Sequence, residues 1–257
     1  MSKQLTMSNK SNAAHPLPVE ILAQPNDETC GPTCVHAVYR FWGDEVGLDD
    51  VLASVHMLDR YDAGRGTMAV LLGIDARKRG YDATLYTFNL NLFDPTWFDD
   101  HGEPVVDLSS KLEAQAEARG SEGKKFRVAM SSFVEFLRLG GEIRFADLTS
   151  RLISGFIRNG RPVLTGLSAT YLYRSAREYG PNDDYIRGEP AGHFVILHGY
   201  DPKSRAVTVA DPLADNPGFG TQQYSVPMAR LVPSIMLGVL TYDSNLLVIE
   251  PGNERAR

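Results

Sequence analysis

Two kinds of hydrophobic pattern divide this chain near residue 160. Before that point apolar residues recur at helical spacing, most clearly over residues 30–42. After it, short segments rich in β-branched residues are separated by turn residues. Helices followed by antiparallel strands are typical of the α+β class, and we expect that class here.

The same patterns predict the main elements. Helices are expected over residues 30–42, 48–55, 67–79, 109–119 and 145–158. Strands are expected over residues 81–88, 162–167, 194–200, 206–210 and 246–249. Gly43, Gly80 and Gly120 follow three of the helices and favour the turn that ends a helix. We expect Ser109 or Ser110 to cap the helix over 109–119.

Length and composition favour one domain. A chain of 257 residues with 43% hydrophobic residues can bury a core without disulfides. We expect residues 1–17 to be a flexible leader, 18–250 to form the domain, and 251–257 to be a flexible tail. Turn residues interrupt the pattern between residues 89 and 126, and we interpret this stretch as an insertion.

Charge and composition exclude several kinds of partner. With 32 acidic against 26 basic residues, the formal net charge of −6 argues against nucleic acid and anionic membranes. No apolar run approaches the roughly 18 residues of a membrane span, and the N-terminal residues lack the apolar stretch of a secretory signal. Two cysteines are too few for a disulfide framework, so we expect a cytoplasmic protein. The oligomeric state stays open.

The most informative stretch runs from Gln24 to Cys34 and places Cys30 at the start of an apolar helix. A thiol there feels the positive end of the helix dipole and several unpaired amide N–H groups. Both favour the thiolate over the thiol, and the thiolate is the nucleophilic form. Cys30 is therefore the candidate nucleophile, while Cys34 is interpreted as core packing.

A nucleophilic cysteine needs a base and a group that orients the base. His193 opens the apolar run of a predicted strand, and Asp211 follows the end of the next predicted strand. If the two strands pair with Tyr200 opposite Ala206, Asp211 comes opposite Val195, beside His193. The hairpin then brings a carboxylate to an imidazole, which is what an orienting group requires.

Gln24 precedes Cys30 by six residues and carries a side-chain amide. With the backbone N–H of Cys30, this amide could donate to the oxygen of a tetrahedral intermediate. Losing one such donor typically costs on the order of a hundredfold in rate. We expect Gln24 to complete an oxyanion hole.

These residues resemble the papain-like cysteine peptidases, and among them peptidase family thirty-nine, which includes bacteriocin-leader peptidases. The resemblance is carried by Gln24, by Cys30-Gly-Pro with the helix after it, by Gly-His193-Phe-Val and by Asp211-Pro. It implies a papain-like fold whose N-terminal helix carries the cysteine and packs on an antiparallel sheet carrying the histidine and aspartate. It assigns Cys30 as nucleophile, His193 as base, Asp211 as orienting group and Gln24 as oxyanion donor.

The implied activity is that of a cysteine peptidase or amidase that forms an acyl-enzyme on a peptide or amide bond. Neither a metal nor another cofactor is required. The chain lacks the membrane spans and the nucleotide-binding domain attached to bacteriocin exporters. Two alternatives stay open: a γ-glutamyl or other acyl transferase, and a catalytically silent peptide-binding module of the same fold.

Other interpretations of single residues compete with this one. Asp201 and Asp215 are further carboxylates near His193 in sequence, but Asp201 has the setting of a turn residue and Asp215 lies in a Pro- and Gly-rich loop. A metal site of Cys30, Cys34 and His36 is disfavoured because His36 falls on a different helical face. Residues 179–184 are interpreted as a solvated loop rather than a lid.

Overall fold

The structure is a computed structural model that describes residues 16–180, 182–241 and 243–252. The predicted leader lies outside these residues except for Pro16 and Leu17, and the predicted tail except for Pro251 and Gly252. Within the described chain, no helix is long and apolar enough to cross a membrane. The division into leader, domain, insertion and tail stays a prediction.

Helices outnumber strands in the first half of the chain. In chain order they are α1 (Cys30–Phe41), α2 (Leu48–Ser54), α3 (Ala69–Lys78), α4 (Leu108–Ala118), α5 (Lys124–Arg138), α6 (Ser150–Arg158), α7 (Ala169–Tyr173) and α8 (Met228–Met236). Short 3₁₀ turns occupy Leu58–Tyr61, Pro95–Trp97 and Leu237–Thr241.

The strands form one large sheet and one small hairpin. They are β1 (Tyr81–Thr87), β2 (Glu142–Arg144), β3 (Val163–Ser168), β4 (Glu178–Tyr179), β5 (Asn182–Asp183), β6 (Gly192–Asp201), β7 (Ala206–Ala210), β8 (Gln223–Pro227) and β9 (Asn245–Pro251). Among the described residues the large sheet has the order β2-β1-β9-β3-β6-β7-β8. Every pairing in it is antiparallel except β1 with β2.

Helices cover both faces of the large sheet. Along β6, Phe194 and Ile196 pack into a core with α1, α3 and α5, whereas Val195 and Leu197 pack into a second core with α6 and α8. This alternation follows from the two-residue period of a strand. The Cys30 helix therefore lies on an antiparallel sheet that carries His193, and the predicted papain-like α+β fold is confirmed.

The contact between α1 and β6 is close because Gly31 has no side chain. A Cβ at Gly31 would lie 2.6 Å from Thr67 Cγ2 and 3.2 Å from Phe194 Cδ2. Real Cβ atoms avoid the shorter of these separations, so a larger residue would push the helix start away from the sheet. Glycine after Cys30 thus fixes how deeply the start of α1 sits.

Most predicted elements are present, with corrections at their ends. The helix predicted over 145–158 begins at Ser150, because the Thr149 side chain caps it by accepting from the Leu152 N–H at 3.2 Å. The cap of α4 is Asp107, and neither Ser109 nor Ser110 caps it: the Asp107 carboxylate accepts from both serine N–H groups, at 3.1 and 3.4 Å. The helices α5 and α8 and the strand β8 were not predicted.

The β6–β7 hairpin has a different register at its turn from the one predicted. Tyr200 pairs with Val207 rather than Ala206, and the shift persists to Gly199 opposite Thr208. A bulge between Leu197 and Gly199 then restores the predicted register, so that Leu197 lies opposite Val209. Asp211 therefore approaches His193 as predicted, because the bulge offsets the one-residue register error at the turn.

Candidate active site

Cys30 is the first residue of α1 and lines a cleft of about 550 Å³. Its N–H has no acceptor within the helix, because the first N–H groups of a helix lack intrahelical partners. The residue is 9% exposed, so the thiol is sheltered yet open to the cleft. A turn held by Asn26 and Thr29 precedes it, in which the Thr29 hydroxyl donates to the Asn26 carbonyl at 3.0 Å.

His193 lies between Cys30 and Asp211. Its Nε2 donates to Asp211 Oδ1 at 2.8 Å, which leaves Nδ1 for the thiol. Cys30 lines the same cleft as His193, and the thiol acts on the ring by raising its pKa. The three groups therefore stand in the order thiol, imidazole, carboxylate, with the imidazole able to exchange a proton with the cleft.

Asp211 is fully buried and accepts four hydrogen bonds. Besides His193, the Leu213 N–H donates to its Oδ1 at 2.9 Å. The hydroxyls of Tyr173 and Tyr224 both donate to its Oδ2, each at 2.6 Å. Two carboxylate oxygens offer about four acceptor sites, so the carboxylate is saturated and its orientation is fixed.

These contacts determine the charge states of the pair. Burial by itself would raise the pKa of Asp211, but the hydrogen bonds from His193, Tyr173 and Tyr224 outweigh burial and hold it below its ordinary value. Burial by itself would lower the pKa of His193, yet the bonds to Asp211 and Cys30 raise it to about 10. At neutral pH the geometry favours a carboxylate beside an imidazolium.

Gln24 borders the same cleft and is tied to both sides of the site. Its backbone N–H donates to the Pro212 carbonyl at 2.9 Å, next to Asp211. Its Nε2 donates to the Asn26 carbonyl at 2.9 Å and has a second hydrogen available. Among the described residues, no hydrogen-bond partner reaches its buried Oε1. Gln24, Cys30 and His193 thus line one cleft, and Asp211 is buried behind His193.

The residues that competed for these roles lie elsewhere. Cys34 is fully buried and its thiol donates to the Phe194 carbonyl at 3.3 Å, as core packing predicts. The ring of His36 points to the Val46 carbonyl at 3.2 Å, away from the thiols. Asp201 accepts from Lys203 and Ser204 within the hairpin turn, as expected of a turn residue.

The remainder of the cleft carries charge that the sequence did not reveal. Lys125 and Asp243 line it, and Asp243 is 6% exposed. Asp27 and Glu28 lie on one side, where Glu28 pairs with Arg65 at 2.5 Å. The hairpin of β4 and β5 borders the cleft through Glu178, Gly180 and Asp183, where we predicted a solvated loop.

Tyr173, Tyr224, Lys125 and Asp243 are the site residues that sequence reasoning missed. They come from α7, β8, α5 and the segment before β9, which belong neither to the Cys30 helix nor to the hairpin before Asp211. No motif or spacing marks them, because only the folded sheet brings these segments together. Among the described residues, no group of three possible metal ligands lies together.

The fold and this arrangement define a peptidase-like protein of papain-like architecture. The family model described as "Peptidase_C39 like family" matches residues 144–231, about a third of the chain. The matched range includes His193 and Asp211 but not Gln24 or Cys30. This match confirms the resemblance to peptidase family thirty-nine and supports a peptidase-like function. No curated protein sequence matches the chain.

Several solved structures are similar at low sequence identity. A Bacillus anthracis protein described as a C39-like peptidase is 13% identical, with 92% of this chain and 96% of that chain covered, at a TM-score of 0.49. A double glycine motif protease from an AMS/PCAT transporter, in complex with the leader peptide, is 14% identical, with coverages of 92% and 94% and a TM-score of 0.41. Xylellain, a cysteine protease from Xylella fastidiosa, is 13% identical, with coverages of 93% and 84% and a TM-score of 0.40.

Proposed function

We propose that this protein is a cysteine peptidase or amidase in which Cys30 attacks a peptide or amide carbonyl. The observation that carries the proposal is that Cys30 and His193 line one cleft, with the His193 ring bonded to the saturated carboxylate of Asp211. A core cysteine has no need of a titratable partner held by a buried carboxylate. Perturbed titratable groups that line a cleft are typical of catalytic sites.

The chemistry follows from the order of the groups. The Cys30 thiolate bonds to the carbonyl carbon, and the carbonyl electrons move to its oxygen. His193 then gives its proton to the leaving amine as the C–N bond breaks, which leaves a thioester on Cys30. Water, deprotonated by the now neutral His193, adds to the thioester and releases the acid. Asp211 orients the imidazole throughout and stays ionised.

The oxyanion formed in the first step needs donors. The Cys30 N–H is one, since it has no helical acceptor, and the second hydrogen of Gln24 Nε2 is the other. The backbone bond from Gln24 to Pro212 links this donor to the Asp211 end of the site. We assign Gln24 this role on its place in the cleft.

The test uses a synthetic peptide library whose cleavage products are sequenced by mass spectrometry. We expect the chain to cleave a subset of peptides and the Cys30→Ala variant to cleave none. Cys34→Ala is the matched control, because it removes the other thiol of the same helix, and it should retain the cleavage pattern. Cleavage that survives Cys30→Ala would contradict the proposal.

Two other results would favour the alternative functions over a peptidase. Peptide binding without cleavage would favour the silent binding module. Products joined to a second amine rather than to water would favour an acyl transferase. We also propose a cytoplasmic location, supported by two cysteines that are both free.

A further inference from the structure

A second pair of ionisable side chains lies in the cleft and has no part in the proposed chemistry. Lys125, from the first turn of α5, and Asp243, two residues before β9, both line it together with Cys30 and His193. Asp243 is 6% exposed, and Lys125 is partly buried. Burying charges costs free energy unless they are paired or used, so this pair requires an explanation.

The sheet makes room for the segment that carries Asp243. A Cβ at Gly166 of β3 would lie 2.5 Å from Asp243 Cβ, and one at Gly192 of β6 would lie 2.7 Å from Thr241 Oγ1. Glycine inside a strand is destabilising relative to alanine. Two strands therefore carry a glycine where this segment passes, and Gly192 is the residue directly before His193.

Two hydrogen bonds to the backbone hold Asp243 in place. Its Oδ1 accepts from the N–H of Ala69, the first residue of α3, at 2.8 Å. Its own N–H donates to the Gly238 carbonyl at 3.0 Å. Burial raises the pKa of Asp243 to about 7, although the Ala69 N–H and Lys125 oppose the rise. The carboxylate is fixed but incompletely compensated.

The ammonium of Lys125 lies near the same segment. Its Nζ donates to the Thr241 carbonyl at 3.3 Å, and its charge acts on Asp243. The neighbouring Lys124 points elsewhere and forms an ion pair with Asp62. Two adjacent lysines of one helix turn thus have different surroundings, and only Lys125 lines the cleft.

We propose that Lys125 and Asp243 form a subsite that selects a substrate side chain carrying a neutral carboxamide, that of asparagine or glutamine. This inference rests on the proposed function and names the substrate class of that same cleft. The carboxamide oxygen accepts from the Lys125 ammonium, and its NH₂ donates to the Asp243 carboxylate. Thr241, whose carbonyl accepts from Lys125, lies against Gly192. The subsite therefore lies close to His193, the residue that exchanges the proton.

Above pH 7, where the Asp243 carboxyl is mostly ionised, the charges of the subsite discriminate against other side chains. A cationic side chain would meet Lys125, and an anionic one would meet Asp243, so each faces one like charge. An apolar side chain would remove water from both charges without replacing its hydrogen bonds. A carboxamide has both a donor and an acceptor and satisfies both groups.

The experiment profiles cleavage of the same synthetic peptide library at every position around the cut, at about pH 8, above the pKa of Asp243. In the unmodified chain we expect asparagine or glutamine to exceed leucine, lysine and glutamate at one position by about tenfold or more, as a charge-assisted hydrogen bond implies. Lys125→Met should shift that position toward lysine and arginine. Asp243→Asn, which keeps an acceptor for the Ala69 N–H, should shift it toward glutamate and aspartate. Lys124→Met is the matched control and should change nothing.

The outcomes separate the subsite from the chemistry. Cleavage that depends on Cys30 but shows no opposite shifts in the two variants would overturn the subsite and leave the peptidase proposal standing. Equal loss of cleavage for all peptides in both variants would show a structural ion pair and would also overturn it. Absence of any Cys30-dependent cleavage would overturn both proposals together.

Discussion

Asp75 and Asp211 are two buried carboxylates with similar donors and different surroundings. Asp75, on α3, accepts from the Tyr39 hydroxyl at 2.7 Å and from Arg79 Nε at 2.8 Å. Asp211 accepts from two tyrosine hydroxyls and from His193. The cation is what differs: a guanidinium keeps its charge at any pH of interest, whereas an imidazole titrates.

The difference separates a structural carboxylate from one that controls a proton. Asp75 connects α3 to α1 through Tyr39, and its cation, Arg79, is the residue directly after α3. Asp211 connects the hairpin to a histidine that lines the cleft beside Cys30. Similar hydrogen bonds therefore stabilise the fold at one place and, in our account, set the charge of the catalytic base at the other.

The largest expected effect comes from neutralising each carboxylate in turn. Asp211→Asn removes the charge that favours the imidazolium, so the pKa of His193 should fall and peptide cleavage at pH 7 should drop about a hundredfold or more. Asp75→Asn breaks a mostly buried ion pair and should lower the free energy of unfolding by about 3 kcal/mol, with cleavage unchanged. Denaturant unfolding and cleavage rates measure both.

The comparison fails if the two variants exchange these effects. Full activity in a folded Asp211→Asn protein would show that the carboxylate does not act through His193. A large loss of cleavage in folded Asp75→Asn would show that Asp75 is not merely structural. Circular dichroism at the assay temperature verifies that each variant is folded.

A smaller effect is expected from removing single tyrosine hydroxyls. Because the hydrogen bonds depress the pKa of Asp211, its contribution is present above the ordinary aspartate value and is lost as pH falls through the depressed one. Tyr224→Phe or Tyr173→Phe removes one donor and raises that pKa. The acid limb of the pH–rate profile should therefore move to higher pH by about one unit.

Tyr39→Phe is the matched control for this prediction. It also removes a buried tyrosine hydroxyl from a buried aspartate, at 2.7 Å, but at Asp75. Tyr39→Phe should lower the free energy of unfolding about as much as Tyr173→Phe or Tyr224→Phe does. It should leave the pH–rate profile unchanged. Equal profiles for all three variants would mean that the tyrosines at Asp211 contribute only to packing.

The sequence was sufficient for the parts of the site that lie in or beside one helix and one hairpin. Cys30 could be found because a helix start leaves a local pattern, and His193 and Asp211 because each adjoins a predicted strand end. The register was wrong at the turn, since the bulge at His198 has no visible signal. Prediction of the Asp211 contact succeeded because the bulge restored the register.

Most of the remaining features depend on long-range packing, whereas α5 has a local signal. The apolar residues of α5, such as Phe126, Met130 and Phe133, do recur at helical spacing, so this helix was detectable. Tyr224 lies on an unpredicted strand, and its bond to Asp211 exists only because β8 pairs with β7. Lys125 meets Asp243 across the cleft through two segments that no local rule connects.

The most direct test of the central claim is the pH dependence of alkylation of Cys30 by iodoacetamide, in the unmodified chain and in His193→Gln. The account predicts fast labelling at pH 6, where an ordinary thiol with a pKa of about 8.5 is almost fully protonated, and its loss in the variant. Cys34, buried in the same helix, should stay unlabelled in both and serves as the internal control. Slow labelling of Cys30 that rises only near pH 8.5 in both proteins would contradict the account.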